Sequence, residues 1–322
     1  MKTSGAARRI CRQLIPALAG LFLAAPLGAA PNEPNDSSYQ VLPLELSRQN
    51  HFLVRAKING KPALLGVDTG ASLSAIDLHR RKHFRVTGLP GSSKLPPQLR
   101  INGGFNRLAI ARHLQLGRLT LVDEPLVAID LAGPAPTARE FPEERLDGLI
   151  GTDVLFPTGA VLDCARQLLV MKLNPDATAP VPLPDLRGWR AVPMRVSAEW
   201  NFFVEARLNG KPAQLMIDTG AFTTLINKPF VREIGLHPRE TRYQSGLVNL
   251  DKRDVQLVTI RHFEIGKYKV KRKEVGVIDL SDFIAGSLRD LSPPMVGLLG
   301  SEFLRRNHAL IDFGTRTLYL KL

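Results

Sequence analysis

The segment Val67-Asp68-Thr69-Gly70-Ala71 returns 150 positions later as Ile217-Asp218-Thr219-Gly220-Ala221. Each copy follows an apolar run, Ala63–Val67 and Ala213–Ile217. Each run follows the same tetrapeptide, Asn59-Gly60-Lys61-Pro62 and Asn209-Gly210-Lys211-Pro212. A chance tripeptide does not bring its neighbours with it. The chain is therefore read as two copies of one unit, each delivering one carboxylate, and a repeat on this scale constrains every other assignment.

The match extends far beyond the aspartates. At a shift of 150, Pro43, Ser47, Phe52, Val54 and Ala56 meet Pro193, Ser197, Phe202, Val204 and Ala206. At a shift of 149, Arg112-His113 meets Arg261-His262, and Gly148-Leu149-Ile150-Gly151 meets Gly297-Leu298-Leu299-Gly300. The lost residue belongs to a loop, where such changes are tolerated. Alternation in Phe52–Ile58 and Phe202–Leu208, followed by Asn-Gly, reads as two strands joined by a tight hairpin. Each Asp-Thr-Gly then falls in a loop just past a buried strand. Thr152 and Ser301 read as hydroxyl caps of short helices. Hairpins close each unit, Ala160–Asp163 with Leu168–Met171 and Ala309–Asp312 with Thr317–Leu320. Four prolines in 174–188 mark a semi-stiff linker. The divisions are a signal segment at 1–30, a leader at 31–38, a first lobe at 39–173, the linker at 174–188 and a second lobe at 189–322. The class is all-β, with few short helices.

The 322 residues carry a net charge of +13. The basic residues are scattered and no nucleic-acid motif accompanies them, so the charge is read as solubility and weak attraction to anionic surfaces, with no nucleic-acid partner. The cluster Lys267, Lys269, Lys271, Arg272 and Lys273 reads as the wet side of a strand. Basic residues up to Arg12, an apolar stretch from Leu14 to Leu27 and small residues at 28–30 resemble an export signal. The expected location is periplasmic or extracellular, with an uncleaved N-terminal anchor as the alternative. No other segment has the length and apolarity of a span. Of two cysteines, Cys11 lies in the signal, so Cys164 is alone in the mature chain and no internal disulfide forms. His113 and His262 recur by repetition and read as structural. No histidine has metal-ligand spacing, and neither a phosphate-binding glycine loop nor a Gly-x-Ser-x-Gly elbow occurs, so no metal and no cofactor are expected.

Two carboxylates on equivalent loops meet if the halves pack about a pseudo-twofold axis, as in a symmetric dimer fused into one chain. At hydrogen-bond distance they share one proton. One accepts a proton from water and the other donates to a carbonyl under attack. The doubled Asp-Thr-Gly-Ala, with Leu149-Ile150-Gly151 and Leu298-Leu299-Gly300, resembles the retropepsin-like aspartic proteases, and the duplication resembles the two-lobed pepsins. That resemblance implies two β-barrel lobes related by a pseudo-twofold axis, with Asp68 and Asp218 as the catalytic pair. Thr69 and Thr219 would lock the loops by hydroxyl bonds, and Gly70 and Gly220 would let substrate backbone pass close. Ala71 and Ala221 stand where pepsins carry a hydroxyl that bonds the carboxylate, so the pair should titrate higher and favour a mildly acidic optimum. Ser72, with Phe222 opposite it in the repeat, would line the pocket. Glycine-tipped flaps are assigned to Gly103, Gly104 and Phe105 and, in the second lobe, to Gly246. The implied activity is that of a monomeric exported endopeptidase on extended peptides. The alternative is a binding module that holds a peptide or envelope component without cutting it.

Overall fold

The computed structural model describes residues 38–88, 100–101, 104–105, 107–131, 145–174, 179–242, 244–245, 253–271, 273–285, 288 and 291–322. The expected signal segment, 1–30, and nearly all of the expected leader, 31–38, lie outside them. Among the described residues, strands dominate, with five short α-helices, and no helix is long and apolar enough to cross a membrane.

The Asn-Gly turns follow from local chemistry. Asn59 and Gly60 have φ of 50° and 79°, and Asn209 and Gly210 have 47° and 88°. Two consecutive left-handed residues match the right-handed twist of the strands they join. Those strands pair as the alternation demands. Phe52–Ile58 lies antiparallel to Lys61–Val67, and Phe202–Leu208 to Lys211–Asp218. Both leading strands show one burial pattern, an apolar start followed by exposed charges between buried residues. The asparagine also binds sideways. Asn59 N–H donates to the His113 carbonyl (2.8 Å) and its Oδ1 accepts from His113 N–H (3.0 Å). Asn209 and His262 repeat this at 2.7 and 3.2 Å. The contact engages only the backbone of His113 and His262 and leaves the identity of their side chains unexplained.

Six strands of the first lobe close into a barrel: Phe52–Ile58, Lys61–Val67, Gly148–Ile150, Ala75–Asp77, Leu119–Ile129 and Arg107–Leu116. The last pairs back to the first through Lys57 and Ile58. The second lobe keeps this order. There, however, the counterpart of Arg107–Leu116 is interrupted at Arg261–His262, giving Gln256–Ile260 and Phe263–Ile265. Gly148–Ile150 and Met295–Gly300 run parallel to the strands leading into the two aspartates, with Ile150 beside Val67 and Leu299 beside Ile217.

The closing hairpins join the lobes. Val161–Asp163 pairs antiparallel with Leu310–Asp312 so that Leu162 faces Ile311, its own counterpart in the repeat. That pairing places a pseudo-twofold axis through the sheet. On either side of it, Leu168–Lys172 with Tyr39–Pro43 mirrors Thr317–Lys321 with Trp189–Val196, in equivalent register. The flanks differ in filling. Phe156 of the first lobe packs edge-on against Phe202 of the second at 5.3 Å, and Phe202 against Phe313 at 5.0 Å. Such pairs each add about 0.5–1.5 kcal/mol beyond the area they bury. The counterpart of Phe313 is Cys164, which sits in the hairpin turn yet is fully buried, with its N–H on the Ala309 carbonyl of the other lobe. Burial raises this thiol well above its ordinary pKa, so it acts as a small apolar filler.

The alternating lysine cluster is only partly wet. Lys273 turns inward to Glu302, and only 12% of its side chain is exposed.

Candidate active site

Both Asp-Thr-Gly loops are suspended between the strand they leave and the parallel strand beside it. Asp68 N–H bonds the Ile150 carbonyl at 2.9 Å. Thr152 N–H bonds the Ala71 carbonyl and Ser301 N–H bonds the Ala221 carbonyl, both at 2.9 Å. The Thr152 and Ser301 hydroxyls do not cap their helices, Thr152–Leu155 and Ser301–Arg306. They donate instead to the loops, Thr152 to the Ala71 carbonyl (3.3 Å) and Ser301 to the Thr219 carbonyl (2.7 Å). Each is the first helical residue rather than the cap, so its hydroxyl is free to reach back.

The loops then lock to each other. Thr69 Oγ1 donates to the Ile217 carbonyl (2.9 Å) and accepts from Thr219 N–H (3.0 Å). Thr219 Oγ1 donates to the Val67 carbonyl (2.6 Å) and accepts from Thr69 N–H (3.0 Å). Both threonines are fully buried, so the four bonds form away from water, where an unmade bond is costly.

This lock brings Asp68 and Asp218 together, each carboxyl lying against the glycine of the other's loop. Gly70 N–H donates to Asp68 Oδ1, and Gly220 N–H to Asp218 Oδ1, both at 2.9 Å; Ala221 N–H adds a contact of 3.1 Å to the latter. The two glycines serve a closer purpose than passage of substrate. A Cβ on Gly70 would stand 2.4 Å from Asp218 Oδ1, and one on Gly220 would stand 2.5 Å from Asp68 Oδ2. Each glycine therefore admits the carboxylate of the opposite lobe. Real Cβ atoms do not tolerate such distances, so glycine is required by the pairing itself.

Burial pushes the Asp68 carboxyl above its ordinary value. The Gly70 N–H, the nearby His51 and the interaction with Asp218 offset this in part. Burial and the neighbouring Asp68 charge push Asp218 up as well. Two acids so placed hold one proton between them across a wide pH range. Neither Ala71 nor Ala221 brings a hydroxyl to the pair. Ala221 is buried and Ala71 and Ser72 are half-buried, while Phe222 is 49% exposed just beyond Ala221.

Of the flap residues, Gly103 and Gly246 lie outside the described residues. Gly104–Phe105 forms a short antiparallel pair with Arg100–Ile101. Gln244–Ser245 pairs likewise with Arg253–Asp254.

The sequence reasoning passed over Ser74 and Thr224, which are equivalent and fully buried. Ser74 Oγ accepts from Gly151 N–H (3.0 Å) and donates to Asp153 Oδ1 (2.7 Å), while its N–H bonds Asp153 Oδ2 (2.7 Å). Thr224 Oγ1 accepts from Gly300 N–H at 3.4 Å. The signal was available as a hydroxyl six positions after each aspartate. As for metals, Asp77, His79 and Asp130 lie close together, but Asp77 already accepts from Arg145 and from His79 N–H.

The aspartyl protease family model matches residues 54–154 and again residues 204–303. No curated protein matches the chain. Among solved structures, a retropepsin-like aspartic protease from Rickettsia conorii is 23% identical over 41% of this chain and 89% of its own, with a TM-score of 0.29. Basic 7S globulin from soybean is 10% identical over 88% and 95%, with a TM-score of 0.44. Aspartic proteinase from Irpex lacteus is 14% identical over 88% and 97%, with a TM-score of 0.43.

Proposed function

Because the chain belongs to the aspartyl protease family, matched in both of its repeats, we propose that it is an exported endopeptidase that hydrolyses extended peptide segments with Asp68 and Asp218. The observation that carries this is the facing carboxyl pair, each member held by the N–H of its own glycine and lying against the glycine of the other lobe. One carboxyl, ionised, takes a proton from the attacking water. The other, protonated, donates to the substrate carbonyl, and the tetrahedral intermediate collapses with proton transfer to the leaving amine. Water and two acids suffice for this cycle.

Substrate is proposed to lie between the lobes as an extended strand, bonded through its backbone and selected through its side chains. The strand pairs Arg100–Ile101 with Gly104–Phe105 and Gln244–Ser245 with Arg253–Asp254 are the candidate covers. Phe222, exposed beside the pair where the first lobe has Ser72, is the candidate wall of an apolar subsite. The division into lobes at 39–173 and 189–322, removal of the signal at 1–30 and action as a monomer are parts of the same proposal.

The test is digestion of a mixed peptide library from acidic to neutral pH by residues 39–322, beside Asp68→Asn and Asp218→Asn. Cleavage lost in both variants supports one intramolecular pair. No cleavage by a folded, monomeric parent would overturn the proposal in favour of a peptide-binding module.

A further inference from the structure

Outside the aspartate pair, the two lobes differ in charge at one sheltered position. In the second lobe Lys273, on the strand Lys273–Ile278, faces Glu302 on the helix Ser301–Arg306 at 2.5 Å, and Arg306 bonds the same carboxylate at 2.7 Å. Lys273 and Glu302 are only 12% and 15% exposed at their side chains. The repeat carries these three positions to Glu124, Asp153 and Pro157 in the first lobe. The register is the same in both. Glu124 pairs with Ala111 as Lys273 pairs with Ile260, and those partners are themselves equivalent and fully buried. An ion pair with a second cation in one lobe is thus two carboxyls and a proline at the equivalent positions of the other.

We infer that Glu124 and Asp153 form a proton-sharing pair that positions the Asp68 loop, holding it while one proton is retained and loosening it when both acids ionise. The link to the loop is direct. Asp153 takes both the N–H and the hydroxyl of Ser74, and Ser74 takes the N–H of Gly151, which sits against the Ala71 carbonyl. Glu124 is half-buried, and burial together with the Asp153 charge pushes it up to about 7. Burial raises Asp153 too, opposed by its bonds from Ser74 and Val154. The other charged groups nearby along the two strands, Asp123 beside Glu124 and Arg112 and His113 beside Ala111, are exposed to solvent. Among the described residues, Asp153 is the group whose charge acts on Glu124.

The sign follows from proton counting. An unfolded glutamate releases its proton near pH 4.3, whereas the folded one keeps it to about 7. Between those values the folded chain binds more protons, so stability falls as pH rises and levels off above the upper value. The second lobe, with its Lys273–Glu302 pair, lacks this component. The pair acts on the first lobe whether or not the chain cuts peptides.

The test is thermal unfolding of residues 39–322 from pH 4.5 to 8 for the parent, Glu124→Gln and Glu124→Lys, with Asp218→Asn in all three to remove titration of the aspartate pair. Glu124→Gln is expected to match the parent near pH 4.5 and to melt several degrees higher at pH 7.5. Glu124→Lys, which rebuilds the ion pair of the second lobe, is expected to widen that gap. In the chain with Asp68 and Asp218 intact, Glu124→Gln is expected to move the neutral-side limb of peptide cleavage upward by about half a pH unit or more. If Glu124→Gln and the parent lose the same number of degrees between pH 4.5 and 7.5, the pair is not proton-sharing and the inference fails. The near-isosteric glutamine keeps this decisive even where the buried lysine prevents folding.

Discussion

Replacing Thr219 by valine preserves volume and removes one hydroxyl from the lock between the lobes. Two bonds go with it, the 2.6 Å donation to the Val67 carbonyl and the 3.0 Å acceptance from Thr69 N–H. Thr69 and Thr219 are fully buried, so water does not replace the lost partners. Leaving a buried donor or acceptor unmade costs about 1–3 kcal/mol. Two such losses amount to roughly 2–6 kcal/mol, a large share of the ~5–15 kcal/mol that holds a typical protein folded. At about 2 °C per kcal/mol for a chain of this size, melting should fall by roughly 4–12 °C. Because the lock is symmetric, Thr69→Val should cost about the same. Cleavage should fall further than stability alone explains, since a shift of about 1 Å in a catalytic group can cost on the order of 100-fold. The assay is urea and thermal unfolding at one pH for Thr219→Val, Thr69→Val and Thr219→Ser, with peptide cleavage measured on the folded fraction. Serine keeps the hydroxyl and should recover most of the loss. A fall of less than about 2 °C in both valine variants, or a serine variant as weak as valine, would refute the claim that these four bonds hold the loops.

Gly70→Ala places a methyl where Asp218 Oδ1 stands and should reduce cleavage by more than about 100-fold; Gly220→Ala should match it, since its Cβ meets Asp68 equally closely. Wild-type cleavage by either variant would show that the pair does not approach as described. Ala71→Ser adds a hydroxyl that favours the ionised carboxylate, so the acidic limb of the pH–rate profile should move to lower pH; an unmoved limb counts against it. Asp218 holds its proton above the ordinary carboxyl range through burial and the Asp68 charge. The folded chain then binds more protons than the unfolded one, stability falls as pH rises from about 4, and Asp218→Asn should flatten melting temperature against pH.

Periodicity and spacing carried the architecture because both are local. Phe52–Ile58 and Phe202–Leu208 announce their buried face by alternation, and Asn59-Gly60 and Asn209-Gly210 announce a turn whose backbone angles few other pairs accept. What escaped depends on partners far away in the chain. Nothing near Gly70 says that its missing Cβ makes room for Asp218, 148 residues on. Thr152 and Ser301 have the composition of helix caps, and only the packing of loop on helix turns their hydroxyls to Ala71 and Thr219. Lys273 sits in a run of lysines that reads as wet, yet Glu302 draws it inward. Of the flaps, the short strand pairs are described and the glycines Gly103 and Gly246 are not.

Fusion of the two halves is what allows them to differ. In a symmetric dimer a residue has the same surroundings in both copies, so an acid at position 124 would face an acid on both sides of the axis. Here one side keeps Lys273 and Arg306 around Glu302, and the other sets Glu124 beside Asp153 with Pro157 where a cation would stand. The same freedom puts Phe313 opposite Cys164 and exposed Phe222 opposite half-buried Ser72. The parts that must meet across the axis stay alike: Asp68 with Asp218, Thr69 with Thr219, Gly70 with Gly220, and Leu162 with Ile311. Identity holds for the aspartates, threonines and glycines whose side chains or loops meet at the axis, while neighbouring positions such as Cys164 and Phe313 differ even where they contact the other lobe.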